Sequence, residues 1–140
     1  MNIYSEKIKG LAAASDQLCR LEQQATTVVK SNPICGDRIT LDLRRVDSQV
    51  EIGMEVRGCL ICKASAALLD QLCNNQDVDH IFQFEKELKG VLQADNPMVI
   101  SSKLTKDVAV FLPLVSHKNR HHCALLPLDT LISALDKSPE

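Results

Sequence analysis

The sequence predicts an α+β fold, in which a small antiparallel three-stranded sheet has helices packed on one face. Residues 38–44 and 49–57 alternate apolar with polar side chains, which is typical of two half-buried strands joined by a tight turn. Apolar residues recur at helical spacing before these runs and again through the second half of the chain. Strands that follow one another, with helices before and after them, are typical of α+β proteins.

The segment before the first alternating run contains a predicted helix and a predicted strand. Residues 3–21 carry apolar side chains at helical spacing and predict an amphipathic helix, in which Gly10 is a candidate break. Residues 25–30 are rich in Thr and Val and predict a short strand that ends at the turn-prone residues 31–33. Cys35 is therefore expected in a loop that leads into the next strand.

Helices are predicted after the hairpin. The second strand leads to Cys59, which we place at a strand-to-helix junction because residues 64–72 are rich in Ala and Leu. Residues 78–92 predict another helix, interrupted at Gly90 and followed by a turn at residues 95–97.

The last part of the chain contains two further predicted helices and a polar loop. Residues 104–114 predict a short helix, and residues 116–122 form a polar, basic loop. Cys123 then opens a final helix at residues 124–135, in which Pro127 is tolerated only near the first turn.

Length and composition restrict the kind of protein. The 140 residues have the usual size of one domain, so we assign residues 1–140 to a single domain. A net charge of -2, one Tyr and no Trp argue against nucleic acid as a partner. Neither a signal peptide nor a membrane-spanning run is evident, so we expect a cytoplasmic protein with no membrane partner. In that compartment the six cysteines are expected to be thiols, metal ligands or sulfur carriers.

Three of the cysteines share one local setting. Cys35 precedes a predicted strand, Cys59 lies between a strand and a helix, and Cys123 precedes the last helix. Unpaired amides at a helix N-terminus favour an anion, which predicts lowered thiol pKa values for Cys59 and Cys123. A thiolate is the form that both metal binding and nucleophilic attack require.

Asp37 is the candidate fourth ligand. It lies two residues after Cys35, so in an extended loop its carboxylate points to the same side as the sulfur. Three sulfurs and one oxygen suit zinc or iron. The alternative interpretation is a turn or capping carboxylate that accepts hydrogen bonds from nearby amides.

Three motifs carry a resemblance to a known family. They are Asn32-Pro33-Ile34-Cys35-Gly36-Asp37-Arg38-Ile39, Gly58-Cys59-Leu60-Ile61-Cys62-Lys63-Ala64-Ser65 and Cys123-Ala124-Leu125-Leu126-Pro127-Leu128. In this order, with a hairpin between the first two, they resemble the scaffold family of NifU N-terminal domains, IscU and SufU. The resemblance covers residues 32–135 and implies a role in iron-sulfur cluster assembly.

Two branches of that family imply different reactions. The long stretch between Cys59 and Cys123 is similar to SufU, which implies a zinc ion bound by these two cysteines, Cys35 and Asp37, and sulfur accepted from a cysteine desulfurase. His122 is instead similar to the IscU branch, which implies a transient iron-sulfur cluster. Both branches imply recipient apo iron-sulfur proteins as partners, and the sequence leaves open whether the chain is a plain scaffold or a zinc-dependent sulfurtransferase.

The resemblance assigns candidate roles within the site. Cys35, Cys59 and Cys123 are the candidate cofactor ligands, and Asp37 joins them as a candidate metal ligand. Cys35 is the first candidate sulfur acceptor because loops move more readily than helix ends, and Cys123 is the second. His122 is a candidate exchangeable ligand or proton carrier.

The remaining cysteines have simpler interpretations. Cys62 forms a C-x-x-C motif with Cys59, so the alternative function is a thiol-disulfide oxidoreductase that uses this pair. Against it, Cys62 in the first turn of a helix also fits as a small apolar side chain. Cys19 and Cys73 lie on predicted helices among Leu residues and are expected in the core or at its boundary.

Overall fold

The computed structural model describes residues 3–23, 25–93 and 103–139, with side chains from residue 106 onward in the last range. Its helices and strands are, in chain order, α1 Glu6–Ala14, β1 Thr26–Asn32, β2 Asp37–Val46, β3 Gln49–Arg57, α2 Leu60–Cys73, α3 Val78–Leu92, α4 Lys103–Val108 and α5 His121–Lys137. Short 3-10 helices cover Ser15–Gln17, Ala109–Leu114 and Lys118–Arg120. The predicted α+β class is confirmed.

The three strands form one antiparallel sheet in the order β1-β2-β3. Leu41 at the centre of β2 pairs with Val28 of β1 and with Met54 of β3. A two-residue turn joins β2 to β3, and its first residue, Asp47, has a φ of 58°, as tight hairpin turns require. The predicted hairpin is therefore present.

One face of the sheet carries the core. Ile39, Leu41 and Leu43 alternate along β2 and are fully buried, and α5 and α2 pack against the sheet. Burying an aliphatic side chain of this size contributes roughly 1.5–3 kcal/mol. This alternation is what the sequence pattern predicted, and it places helices on one face of the sheet.

The other face is crossed by the chain that follows the first helix. A Cβ at Gly53 would lie 2.5 Å from the Leu21 nitrogen, so only glycine lets this segment approach β3. The Met54 N–H donates to the Cys19 carbonyl at 3.0 Å, and Asp42 accepts the Leu21 N–H at 3.0 Å. These contacts hold the segment in an extended path, which is why the helix predicted through residue 21 ends early.

The other helices also differ in part from the sequence prediction. The helices α1 and α3 run without interruption through Gly10 and Gly90. The helix predicted at residues 104–114 is present as α4 followed by a 3-10 helix, and the turn predicted at residues 95–97 lies outside the described residues.

The last helix begins earlier than predicted. Its first residue is His121, so Pro127 lies in the second turn instead of the first. Proline has no N–H, and the Cys123 carbonyl four residues earlier therefore lacks its usual helical donor. Among the helices of the described residues, none is long and apolar enough to cross a bilayer.

Candidate metal centre

Three segments meet at one end of the sheet. They are the turn at residues 33–36, the junction between β3 and α2, and the first turn of α5. Arg38 near the start of β2 pairs with Arg57 at the end of β3, which brings Gly58 and Cys59 beside Asp37. The structure therefore brings together all four of the residues that the sequence selected, Cys35, Asp37, Cys59 and Cys123.

The turn presents Cys35 at the surface. Gly36 has a φ of 71°, and its N–H donates to the Asn32 carbonyl at 2.8 Å. The Asn32 side chain also accepts the Ile34 N–H at 3.2 Å. The result is a tight turn in which Ile34 is 86% exposed and Cys35 is half-buried, as expected for a loop residue.

Asp37 lies beneath this turn and is 1% exposed. Its Oδ1 accepts the Cys59 N–H at 2.8 Å, and its Oδ2 lies 3.8 Å from the Cys59 sulfur. Gly58, with a φ of 148°, makes this packing possible because a Cβ at that position would collide with the Asp37 carboxylate. Gly58 is the first residue of the second motif, but only the structure shows that it makes room for the Asp37 carboxylate.

Cys59 is the N-cap of α2, which confirms its predicted place at a strand-to-helix junction. Its sulfur accepts the Cys62 N–H at 3.5 Å, in the way that an N-cap oxygen normally accepts such a bond. Cys59 therefore satisfies one of the backbone donors at the helix N-terminus with its sulfur.

Cys123 has a different environment from the one predicted. It is the third residue of α5 and fully buried, and its thiol donates to the Cys35 sulfur at 3.5 Å. Burial raises the pKa of the Cys123 thiol, and its hydrogen bonds to Cys35 and Asp37 raise it further. The predicted lowering of this pKa by the helix N-terminus is wrong, because desolvation in the core outweighs the helix dipole.

His122 is the histidine of the basic loop that reaches the cysteines. Its Nε2 lies 3.4 Å from the Cys35 sulfur. The other two histidines of that segment contact backbone carbonyls: His121 lies 2.6 Å from the Leu114 oxygen and His117 lies 3.1 Å from the Pro113 oxygen.

Arg120 is a site residue that the sequence did not single out. Burial lowers its pKa, but the charges of Cys59, Tyr4 and Cys123 and a hydrogen bond to Cys59 raise it overall. Its Nε is buried and has no hydrogen-bond partner among the described residues. The sequence shows Arg120 only as one of several scattered charges. Its contact with Cys59 was not predictable, because the two residues lie far apart in the chain.

The donor atoms form two overlapping sets that share Cys123. One set is Cys35, His122 and Cys123, and the other is Asp37, Cys59 and Cys123; within each set, the ligand atoms lie within 4.8 Å of one another. Ligands of a tetrahedral zinc ion are separated by about 3.3–3.8 Å. Thiols, a carboxylate and an imidazole at these separations fit zinc or iron chemically.

The other cysteines lie apart from these sets. Cys62 is fully buried in the core, and burial raises the pKa of its thiol, which favours a packing role over a redox pair with Cys59. Cys73 is also buried as expected, and burial raises its pKa to about 12. Cys19 is exposed, contrary to expectation, because the first helix ends before it.

Comparison with known proteins places this arrangement in a family. Residues 3–124 match the family described as the NifU-like N terminal domain. The chain is 29% identical over 136 residues to the iron-sulfur cluster assembly scaffold protein IscU of Thermotoga maritima, with 96% of this chain and 94% of that protein covered.

Two solved structures have the same fold. The N-terminal NifU-like protein from Brucella abortus has a TM-score of 0.83 and 20% identity, covering 97% of this chain and 96% of that one. The putative iron-sulfur cluster assembly scaffold protein for the SUF system from Fervidobacterium islandicum AW-1 has a TM-score of 0.84 and 22% identity, covering 95% and 96% of the two chains.

Proposed function

This chain belongs to the family of NifU-like N-terminal domains, and from that premise we propose that it is an iron-sulfur cluster assembly protein. It accepts sulfur from a cysteine desulfurase, carries a transient cluster at Cys35, Asp37, Cys59 and Cys123, and delivers it to apo iron-sulfur proteins. The name of the similar Thermotoga protein supports the scaffold role. We place this activity in the cytoplasm, where reducing conditions keep the thiols available.

The observation that carries the proposal is the environment of Asp37. This carboxylate is almost completely buried, yet its polar contacts within the described part of the chain are one backbone N–H and the thiols of Cys59 and Cys123. A buried carboxylate is costly unless a cation or several hydrogen bonds compensate its charge. A metal ion bound by Asp37 and these two thiolates would supply that compensation.

Zinc fits this donor set as the resting metal. Cys35, Asp37, Cys59 and Cys123 would hold it by combining the two sets through their shared Cys123, and His122 would exchange with one of them because it belongs to the set that contains Cys35. When bound, zinc supplies the positive charge that keeps coordinating thiols deprotonated at neutral pH. An iron-sulfur cluster, as cargo, would use the same thiolates.

Sulfur acceptance is best placed on Cys35. Its thiolate would attack the terminal sulfur of the desulfurase persulfide, that S–S bond would break, and the desulfurase cysteine would leave as a thiolate. Cys35 is half-buried in a surface turn, whereas Cys123 is fully buried. The Arg120 guanidinium lies near Cys59 and Cys123, and its positive charge would stabilise negative charge on these sulfurs.

The experiment that tests the shared site is metal analysis of the purified protein beside the variants Cys35→Ser, Cys59→Ser and Cys123→Ser. We expect about one metal ion per wild-type chain and a large loss in each variant. Cys19→Ser is the matched control, because Cys19 is exposed and lies outside both ligand sets. Full metal content in all three site variants would refute the shared site.

Two further measurements separate sulfur relay from plain scaffolding. Anaerobic addition of iron and sulfide should give a stable cluster spectrum if the chain is a scaffold. Stimulation of a cysteine desulfurase by the wild-type protein and not by Cys35→Ser indicates sulfur acceptance. Cys62→Ser should retain full function, and its failure would favour the oxidoreductase alternative.

A further inference from the structure

The sulfurs of Cys35 and Cys123 are close together but differ in access. They lie 3.5 Å apart, with the Cys123 thiol donating to the Cys35 sulfur. Cys35 is half-buried in a surface turn and Cys123 is fully buried. A disulfide needs an S–S distance of about 2.05 Å, so the two sulfurs have to approach by only about 1.5 Å.

We propose that Cys123 is a resolving thiol that converts a persulfide on Cys35 into sulfide. This inference deepens the proposed function and rests on it, since it assigns the step that follows sulfur acceptance. A scaffold that builds clusters requires sulfide, whereas a desulfurase delivers sulfur at the oxidation level of a persulfide. Oxidation of Cys35 and the neighbouring Cys123 thiol to a disulfide supplies the two electrons that separate these states.

The two cysteines are the reductant in this step, so sulfide release needs no other electron donor. The Cys123 thiol gives up its proton as its sulfur attacks the inner sulfur of Cys35–S–SH, the bond between the inner and outer sulfurs breaks, and the outer sulfur leaves with the electron pair. The proton of the Cys123 thiol goes to the departing sulfur, which gives hydrogen sulfide and a Cys35–Cys123 disulfide. The outer sulfur is reduced by two electrons and the two cysteines are oxidised, and a dithiol reductant then restores both thiols.

The other nearby thiols are less suited to this attack. The Cys59 sulfur faces the Asp37 carboxylate and caps α2 by accepting the Cys62 N–H. Cys62 is enclosed in the core. The Cys123 sulfur, by contrast, already lies 3.5 Å from the Cys35 sulfur, and Gly36 with its φ of 71° lies next to Cys35 in the turn that has to move.

The test loads sulfur chemically, so that it does not depend on a desulfurase. Purified protein of measured metal content is treated with glutathione persulfide and desalted, and released sulfide and non-reduced peptide masses are then followed in time. We expect one sulfide released per Cys35–Cys123 disulfide formed. In Cys123→Ser the persulfide on Cys35 should survive at least about tenfold longer, because the neighbouring nucleophile is missing.

Cys19→Ser is the matched control and should release sulfide like the wild type, because Cys19 is exposed and outside the site. Two results would overturn the proposal: a Cys35 persulfide that is stable in the wild type, or sulfide release in Cys123→Ser at the wild-type rate. Peptide mapping of the wild type is decisive even if Cys123→Ser folds poorly. Failure of desulfurase loading, with sulfide release intact here, would refute the proposed sulfur source and leave the resolving role standing.

Discussion

Two aspartates on the same strand are equally buried but differently compensated. Asp37 and Asp42 both lie on β2, with exposed fractions of 1% and 2%. Asp42 accepts hydrogen bonds from Arg20 Nε at 2.7 Å and Nη2 at 2.9 Å, from the Leu21 N–H at 3.0 Å and from Thr27 Oγ1 at 2.6 Å. Asp37 accepts a backbone N–H from Cys59 and otherwise faces thiols.

The difference shows how a structural carboxylate can be told from a metal ligand. Burial alone does not separate the two, because both side chains have lost their water. The charge of Asp42 is compensated within the protein by an arginine and further donors, which anchors the segment crossing the sheet. Among the described residues, Asp37 contacts no comparable partner, so we expect a bound cation to compensate the charge of its carboxylate.

The largest loss of stability is expected from a substitution at Gly58, which packs against the Asp37 carboxylate. In Gly58→Ala the new Cβ would collide with the Asp37 carboxylate, and alanine is strained at a φ of 148°. We expect a loss of about 3 kcal/mol in the free energy of unfolding, measured by urea denaturation, together with loss of metal.

Gly10→Ala is the matched control for this substitution. A Cβ at Gly10 meets no atom within 4 Å, and Gly10 lies inside α1, so alanine should stabilise the protein by about 0.5–1 kcal/mol. If Gly58→Ala proved as stable as the wild type and retained its metal, the position of the Asp37 carboxylate would not depend on a glycine at position 58.

The next largest loss of stability is expected from a substitution of Asp42. In Asp42→Asn the Arg20 guanidinium and the hydroxyl of Thr27 lose a charged acceptor, and we expect a loss of about 1–3 kcal/mol in the free energy of unfolding. Metal content should stay at the wild-type level, since Asp42 belongs to neither ligand set. Metal loss in this variant with the fold intact would mean that the two aspartates are not separate in function.

The pH dependence of stability tests how the charge of Asp42 is compensated within the protein. Burial acts to raise the pKa of Asp42, but the hydrogen bonds from Arg20, Thr27 and the Leu21 N–H outweigh it and hold the pKa below its usual value. A carboxyl with a lower pKa in the folded state stabilises the protein above its unfolded pKa of about 3.9, and that contribution disappears as the pH falls through the folded value.

We therefore expect the free energy of unfolding to fall more steeply in the wild type than in Asp42→Asn between about pH 5 and pH 2. Urea denaturation at several pH values measures both slopes. Parallel curves for the two proteins would show that the Asp42 carboxylate does not titrate differently on folding.

Much of the fold was predictable because its signals are local. The alternation of Ile39, Leu41 and Leu43 with polar neighbours defined the hairpin, and the junction at Cys59 followed from the strand before it and the helix after it. The end of the first helix was not predictable. It depends on Asp42 and Gly53, which hold residues 19–21 across the sheet through contacts distant in sequence.

The candidate site was also predictable only in part. The motifs around Cys35, Cys59 and Cys123 selected residues that the fold brings together. The pKa of Cys123 was predicted in the wrong direction, because its burial depends on how α5 packs and the sequence shows only a cysteine near a helix start. Arg120 was missed for a similar reason, since its contact with Cys59 joins segments far apart in the chain.

The smallest expected change in stability accompanies the most direct test, which is zinc affinity measured by chelator competition in Asp37→Asn and Asp42→Asn. An asparagine at position 37 can still accept the Cys59 N–H, so the metal-free protein should unfold within about 1 kcal/mol of the wild type. Because the Asp37 carboxylate would bind the metal and Asp42 would not, we expect zinc binding to be weakened at least about tenfold in Asp37→Asn and unchanged in Asp42→Asn. Equal zinc affinity in Asp37→Asn and the wild type would contradict this expectation.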